Sequence, residues 1–141
     1  MTDFKKALVE LVSRRKLTLA CVPDGFDAFV AADFARLMAA DAHGRAAVLV
    51  HVARDSQRAR AFQEAFTFAA PDLELLDFPE WDCQPYDRVS PNAAIAARRV
   101  TVLARLARSH SSEERPRVLS TTVAALLQRV PPLKWISAES F

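Results

Sequence analysis

Apolar positions along the chain alternate between helical and strand spacing, and that alternation predicts the order of elements. Leu8, Leu11 and Val12 recur at helical intervals after Thr2 and Asp3, so residues 2–15 are expected to form a helix. Residues 16–22 (KLTLACV) are a strand-like run closed by the turn residues Pro23, Asp24 and Gly25. Phe26, Val30, Phe34, Leu37 and Met38 then mark one face of a long helix that runs to about His43, with Gly44 suited to cap it. Residues 46–52 (AAVLVHV) are a buried strand. Asp55 can cap the following helix, in which Ala59, Phe62, Phe66 and Ala69 share a face. Pro71 ends that helix and residues 73–78 (LELLDF) form the next strand. After a Pro-rich passage, residues 79–91, Asn92 caps an Ala/Arg-rich helix to about Arg108. A polar loop leads into the strand 117–120, Thr121 or Thr122 starts a short helix, and Pro131-Pro132 stop it. Residues 133–136 are expected to begin another strand.

Strands alternating with helices at these lengths predict an α/β fold, three-layer α/β/α with a mainly parallel sheet and right-handed crossovers. The 141 residues suit one domain, and with 51% hydrophobic residues they can bury a core. A net charge of +2, with Arg spread along the chain, leaves no strong nucleic-acid footprint. Cys21 and Cys83 lack CxxC neighbours or nearby His, and Cys21 is expected to be a small buried hydrophobe. There is no signal-peptide pattern and no apolar run near the ~18 residues of a membrane span, so a cytoplasmic location without membrane partners is expected. The tail, residues 137–141, reads as the stump of a longer chain.

In such folds ligands bind beyond the carboxyl ends of the strands. The first strand-to-helix turn is Val22, Pro23, Asp24, Gly25, Phe26 and Asp27. A nucleotide triphosphatase needs several glycines there, a Lys for the phosphates and a Ser/Thr for magnesium. This turn offers one Gly and two aspartates that repel phosphate, and the whole chain has only Gly25 and Gly44. Asp24 and Asp27 read as cap or dipole partners rather than an acid–base pair, and no Cys–His pair can be completed. No catalytic residue, cofactor or metal set is expected.

The segment 78–91 is unusual in its density of Trp, Tyr, Arg and Pro. Trp81, Asp82, Pro85, Tyr86, Asp87, Arg88, Ser90 and Pro91 are candidate interface residues, stiffened by proline. The alternative is that Trp81 and Tyr86 lid the sheet end while Asp87 or Arg88 pins the turn. On the next helix Arg98, Arg105 and Arg108 fall on one side, with Arg99 apart from them. That face admits contact with DNA phosphate, or serves only as a solvated surface.

Trp81-Asp82-Cys83-Gln84-Pro85-Tyr86-Asp87-Arg88-Val89-Ser90-Pro91, followed by Arg98-Arg99, resembles the W-(D/E)-x-x-P-Y-(D/E)-x-x-S-P signature of the N-terminal region of the transcription-repair coupling factor (Mfd) family. Thr121 to Pro131, with Gln128-Arg129, is similar to the family's later (T/P)-x-x-A-L-(L/M)-Q-(R/K)-x-(P/C) segment. The resemblance covers residues 17–141. It implies a UvrB-like lobe with a lost ATP site, matching the degenerate turn at 22–27, and no room for UvrB's DNA-clamping hairpin. It further implies that a parent protein translocates on DNA with ATP, displaces RNA polymerase and recruits UvrA. This piece would serve as a scaffold for neighbouring domains, touching DNA weakly or not at all.

Overall fold

The computed structural model describes residues 6, 10, 16, 18–41, 47–83, 90–108 and 116–138. Helix α1 (Phe26–Asp41) precedes strand β1 (Val48–Ala53), helix α2 (Ser56–Ala69) and strand β2 (Glu74–Phe78). Helix α3 (Ala93–Ala107), strand β3 (Arg117–Thr122), and the short helices α4 (Val123–Leu127) and α5 (Leu133–Ala138) follow. The three described strands are all parallel, in the order β1-β3-β2. The crossover through α2 runs across the sheet and the one through α3 runs back. A common right hand therefore places their helices on opposite faces.

Helix starts follow side-chain chemistry visible in the sequence. The Asp55 carboxylate accepts from the Arg58 N–H at 2.8 Å, Asn92 from Ala94 N–H at 2.8 Å, and the Thr122 hydroxyl from Ala125 N–H at 3.1 Å. Each satisfies one of the amides a first turn leaves unpaired.

Two expected strands are not strands. Residues 18–22 are irregular, because Cys21 adopts φ 58, a left-handed conformation that no ladder accommodates, and it sits exposed rather than buried. Residues 133–136 lie in α5. Proline fixes the entry to its first turn, where Trp135 N–H donates to the Pro132 carbonyl at 2.9 Å. Apart from Lys6 and Glu10, the expected N-terminal helix lies outside the described residues, as does Gly44.

One core lies under α1 and α2. Ala28, Ala31, Ala32 and Ala35 pack with Phe62, Phe66 and Val118, and Leu49 and Leu75 line the margin. The buried stripe of α1 is thus its alanines, not the expected row of Phe26, Val30, Phe34, Leu37 and Met38. Small side chains let α1 approach α2 closely, and the two α2 phenylalanines fill the space between. The second core, on the opposite face, joins Leu76, Phe78 and Leu119 to Val102 of α3 and Ala125 of α4. No helix among the described residues is long and apolar enough to cross a membrane.

Phe66→Ala should therefore lower the unfolding free energy by about 3–5 kcal/mol, and Phe68→Ala, on the exposed side of α2, by less than ~0.5 kcal/mol. Urea denaturation monitored by circular dichroism measures both.

Candidate functional site

The two motif blocks of the sequence meet at a buried guanidinium. Helical spacing puts Arg99 in line with Val102, Leu103 and Leu106, so it points at the sheet while Arg98 points outward. The Arg99 guanidinium carbon lies 4.1 Å from the Phe78 ring centroid and 4.5 Å from that of Trp81. Its Nη1 donates to the Pro79 carbonyl at 2.5 Å and to Gln128 Oε1 at 3.1 Å. The same Gln128 oxygen accepts from Trp81 N–H at 3.0 Å. One side chain at the end of α4 thus ties the segment after β2 to the middle of the chain. Burial pushes the Arg99 pKa down, and its Nη2 is buried without a hydrogen-bond partner among the described residues. Sequence spacing sets Arg99 apart from the other arginines, on the apolar side of α3, but does not reveal its partners.

Beside this knot a cleft of about 340 Å³ opens over the carboxyl ends of β2 and β3, between α2 and α3. Its polar groups are largely bonded to one another. Asp77 accepts from Gln63 Nε2 at 2.9 Å and from Arg98 at 2.9 Å, and Gln63 also donates to the Ser120 hydroxyl at 3.2 Å. Thr122 donates to Glu80 at 3.2 Å, Thr121 to the Phe78 carbonyl at 3.0 Å, and Asn92 N–H to Asp82 at 3.1 Å. At the far end of α3, Arg105 and Arg117 both hold Glu74, at 3.0 and 2.6 Å. Arg98 and Arg105 are therefore engaged with carboxylates of β2. Ser90, Pro91 and Arg129 are exposed, while Pro85, Tyr86, Asp87 and Arg88 lie outside the described residues.

At the first turn, Gly25 takes φ 83 and Phe26 N–H donates to the Pro23 carbonyl at 3.0 Å. Asp24 is held by Arg58 at 2.8 Å, a hydrogen bond and charge that lower its pKa. Asp27 accepts from Ala28 N–H at 3.1 Å. Val22 and Phe26 are exposed, and Phe26 stacks on Phe29 at 5.8 Å. His51 is stacked on Phe62 at 3.5 Å with Nδ1 buried and unpartnered among the described residues. Burial pushes its pKa below the ordinary 6.5, opposed in part by the charge of Asp27. Among the described residues no group of three His, Cys, Asp or Glu could hold a metal ion.

Known proteins match part of this chain. The transcription-repair-coupling factor of Rickettsia prowazekii is 30% identical over 89 residues, which is 63% of this chain and 8% of that protein. The proteins of the same name from Rickettsia typhi and Rickettsia conorii match over 89 residues at 30% and 28% identity. The chain carries a region related to transcription-repair-coupling factor. It spans 8% of the length of these curated relatives. No protein-family model and no solved structure matches it.

The knot sets clear expectations for substitution. Arg99→Lys loses the planar stack and should cost about 2–3 kcal/mol, whereas Arg98→Ala, breaking an exposed pair, should cost ~1 kcal/mol or less. Gln128→Ala, which strips an acceptor from two donors, should cost about 1–3 kcal/mol. Urea titrations of the three variants provide the comparison.

His51 gives a pH signature. The unfolded chain binds its proton near pH 6.5, and the folded chain only at lower pH. The contribution of His51 is thus fully present above that value and is lost as pH falls through it. Unfolding free energy should decline between about pH 7.5 and 5.5, and His51→Phe should flatten the decline relative to wild type. Denaturation midpoints across that range, measured for both proteins, decide it.

Proposed function

We propose that this chain is a non-catalytic scaffold lobe of a transcription-repair coupling factor. The observation that carries the reading is the Arg99–Trp81–Gln128 knot, with the self-bonded polar groups around it, at the strand ends where an α/β protein would hold its ligand. Groups committed to one another there hold loops in place and leave few donors for a substrate. The turn at 22–27 supports the same reading as a degenerate phosphate loop. Its exposed carboxylate Asp24 is occupied by Arg58, Asp27 adds a second carboxylate, and the turn has no Lys for phosphate and no hydroxyl for magnesium.

On this reading the parent protein supplies the activities: ATP-driven translocation on DNA, displacement of RNA polymerase, and recruitment of repair through UvrA. The lobe's own partners are the neighbouring domains. A DNA-binding module built on α3 is disfavoured, since Arg98 and Arg105 are already paired with Asp77 and Glu74.

The test is a thermal-shift titration of the 141-residue chain with ATP and magnesium. No shift is expected up to millimolar nucleotide. A ligand at 100 times its Kd would add about 2.7 kcal/mol and raise Tm by several degrees, and such a shift would overturn the reading.

A further inference from the structure

The cleft beside the Arg99 knot has hydrogen-bond acceptors to spare. Phe78, Pro79, Trp81 and Ile95 give it an apolar lining, and Glu80 and Asp82 add carboxylates. Trp81 and Asp82 are two of the interface candidates marked by the sequence. At about 340 Å³ the cleft lies at the small end of ligand sites, which run from about 300 to 1,000 Å³. It suits a single side chain.

Hydrogen-bond capacity decides the class of ligand. The donors Gln63, Arg98, Thr121 and Thr122 all bond within the protein. A phosphate or a carboxylate therefore finds few N–H or O–H groups there. Acceptors are another matter, since one carboxylate offers about four lone-pair sites. Glu80 spends Oε2 on the Thr122 hydroxyl at 3.2 Å, and Asp82 spends Oδ1 on Asn92 N–H at 3.1 Å. Neither has a cationic partner among the described residues. Asp77, by contrast, is paired with Arg98. Three carboxylates thus face two guanidinia, Arg60 and Arg98, and the excess negative charge sits on Glu80 and Asp82. Arg99 directs Nη1 to the Pro79 carbonyl and Gln128, not to either carboxylate. Arg60 stands exposed on the α2 wall, so a cation enters from the side of β2 and the residues after it.

We propose that this cleft receives an arginine side chain of a partner protein. A guanidinium presents its donors in a planar fork that matches carboxylates two bonds at a time, and its methylene stem packs on apolar walls such as Pro79 and Ile95. The receiving groups are in place before the partner arrives. Thr122 holds Glu80, Asn92 holds Asp82, and Gln128 holds the Trp81 backbone between them. The proposal extends the scaffold reading by naming a partner's chemistry. It stands whether or not the chain binds nucleotide, so the two fail separately.

The probe is a short Gly/Ser peptide with one central arginine, titrated into the isotope-labelled chain and followed by NMR. Its control carries citrulline, which keeps the shape and loses the charge. The arginine peptide should saturably shift the Trp81 indole N–H and the amides of Glu80, Asp82 and Thr122, and should weaken with added salt. The citrulline peptide should bind about tenfold more weakly. Combining Glu80→Gln with Asp82→Asn should cost the arginine peptide about tenfold as well. Each new amide keeps the oxygen used by Thr122 or by Asn92 N–H, so the melting curve should stay that of wild type. The citrulline comparison uses the unaltered protein and decides the matter even where the double variant folds poorly. Equal binding of the two peptides, binding of neither, or shifts that persist in a folded double variant overturn the proposal. So does free arginine binding more tightly than the peptide, which would assign the cleft to a small molecule.

Discussion

A guanidinium moved out of water at Arg99 loses hydration worth several kcal/mol, and it persists only if the protein replaces that hydration in kind. Two aromatic faces, at about 0.5–2 kcal/mol each, and two hydrogen bonds from a charged donor, at about 1.5–3 kcal/mol each, are of the required size. The replacements come from two distant parts of the chain: Phe78, Pro79 and Trp81 from the end of β2 and the residues after it, Gln128 from the end of α4. Burying the charge therefore forces these segments into one arrangement. The price is an Nη2 without a hydrogen-bond partner among the described residues.

The same logic runs across the sheet. Register aligns His51, Ser120 and Asp77 in one row over β1, β3 and β2, beneath α2. Gln63 joins Asp77 to Ser120, and Arg98 closes the far side of Asp77. His51 is left to an aromatic stack with Phe62. The row contains Ser, His and Asp, but Ser120 is fully buried and sits between the other two, so no substrate could reach it as a nucleophile. It is a polar seam in the core, hydrogen-bonded by Gln63 of α2 at one end and stacked on Phe62 at the other.

What was legible in the sequence was local chemistry. Asp55, Asn92 and Thr122 cap the helices they were expected to cap, and the runs at 46–52, 73–78 and 117–120 form strands within a residue or two of their expected bounds. What failed depended on backbone conformation or on a neighbour. The apolar run at 16–22 had strand composition, but a left-handed Cys21 interrupts it. In α1 the bulky residues looked like the core face, yet the gap left by Phe62 and Phe66 accepts only alanine. Arg99 was readable in part: its spacing with Val102, Leu103 and Leu106 puts it on the apolar side of α3. The identity of its partners was not, since Gln128 lies 29 residues away and is brought close only by the return of β3.

That return also links the knot to the short helix α4. β3 is the central strand, and α4 leaves it without a loop, Thr122 serving as both last strand residue and cap. The direction of α4 is thus set at its start by the strand and at its end by Gln128. A five-residue helix has too few internal hydrogen bonds to hold its own shape in water. Its outward row of Val123, Leu126 and Leu127 keeps a fixed aim because both ends are tethered to buried groups. The buried arginine at the carboxyl end of the sheet is thus, through Gln128, also the group that fixes the direction of α4.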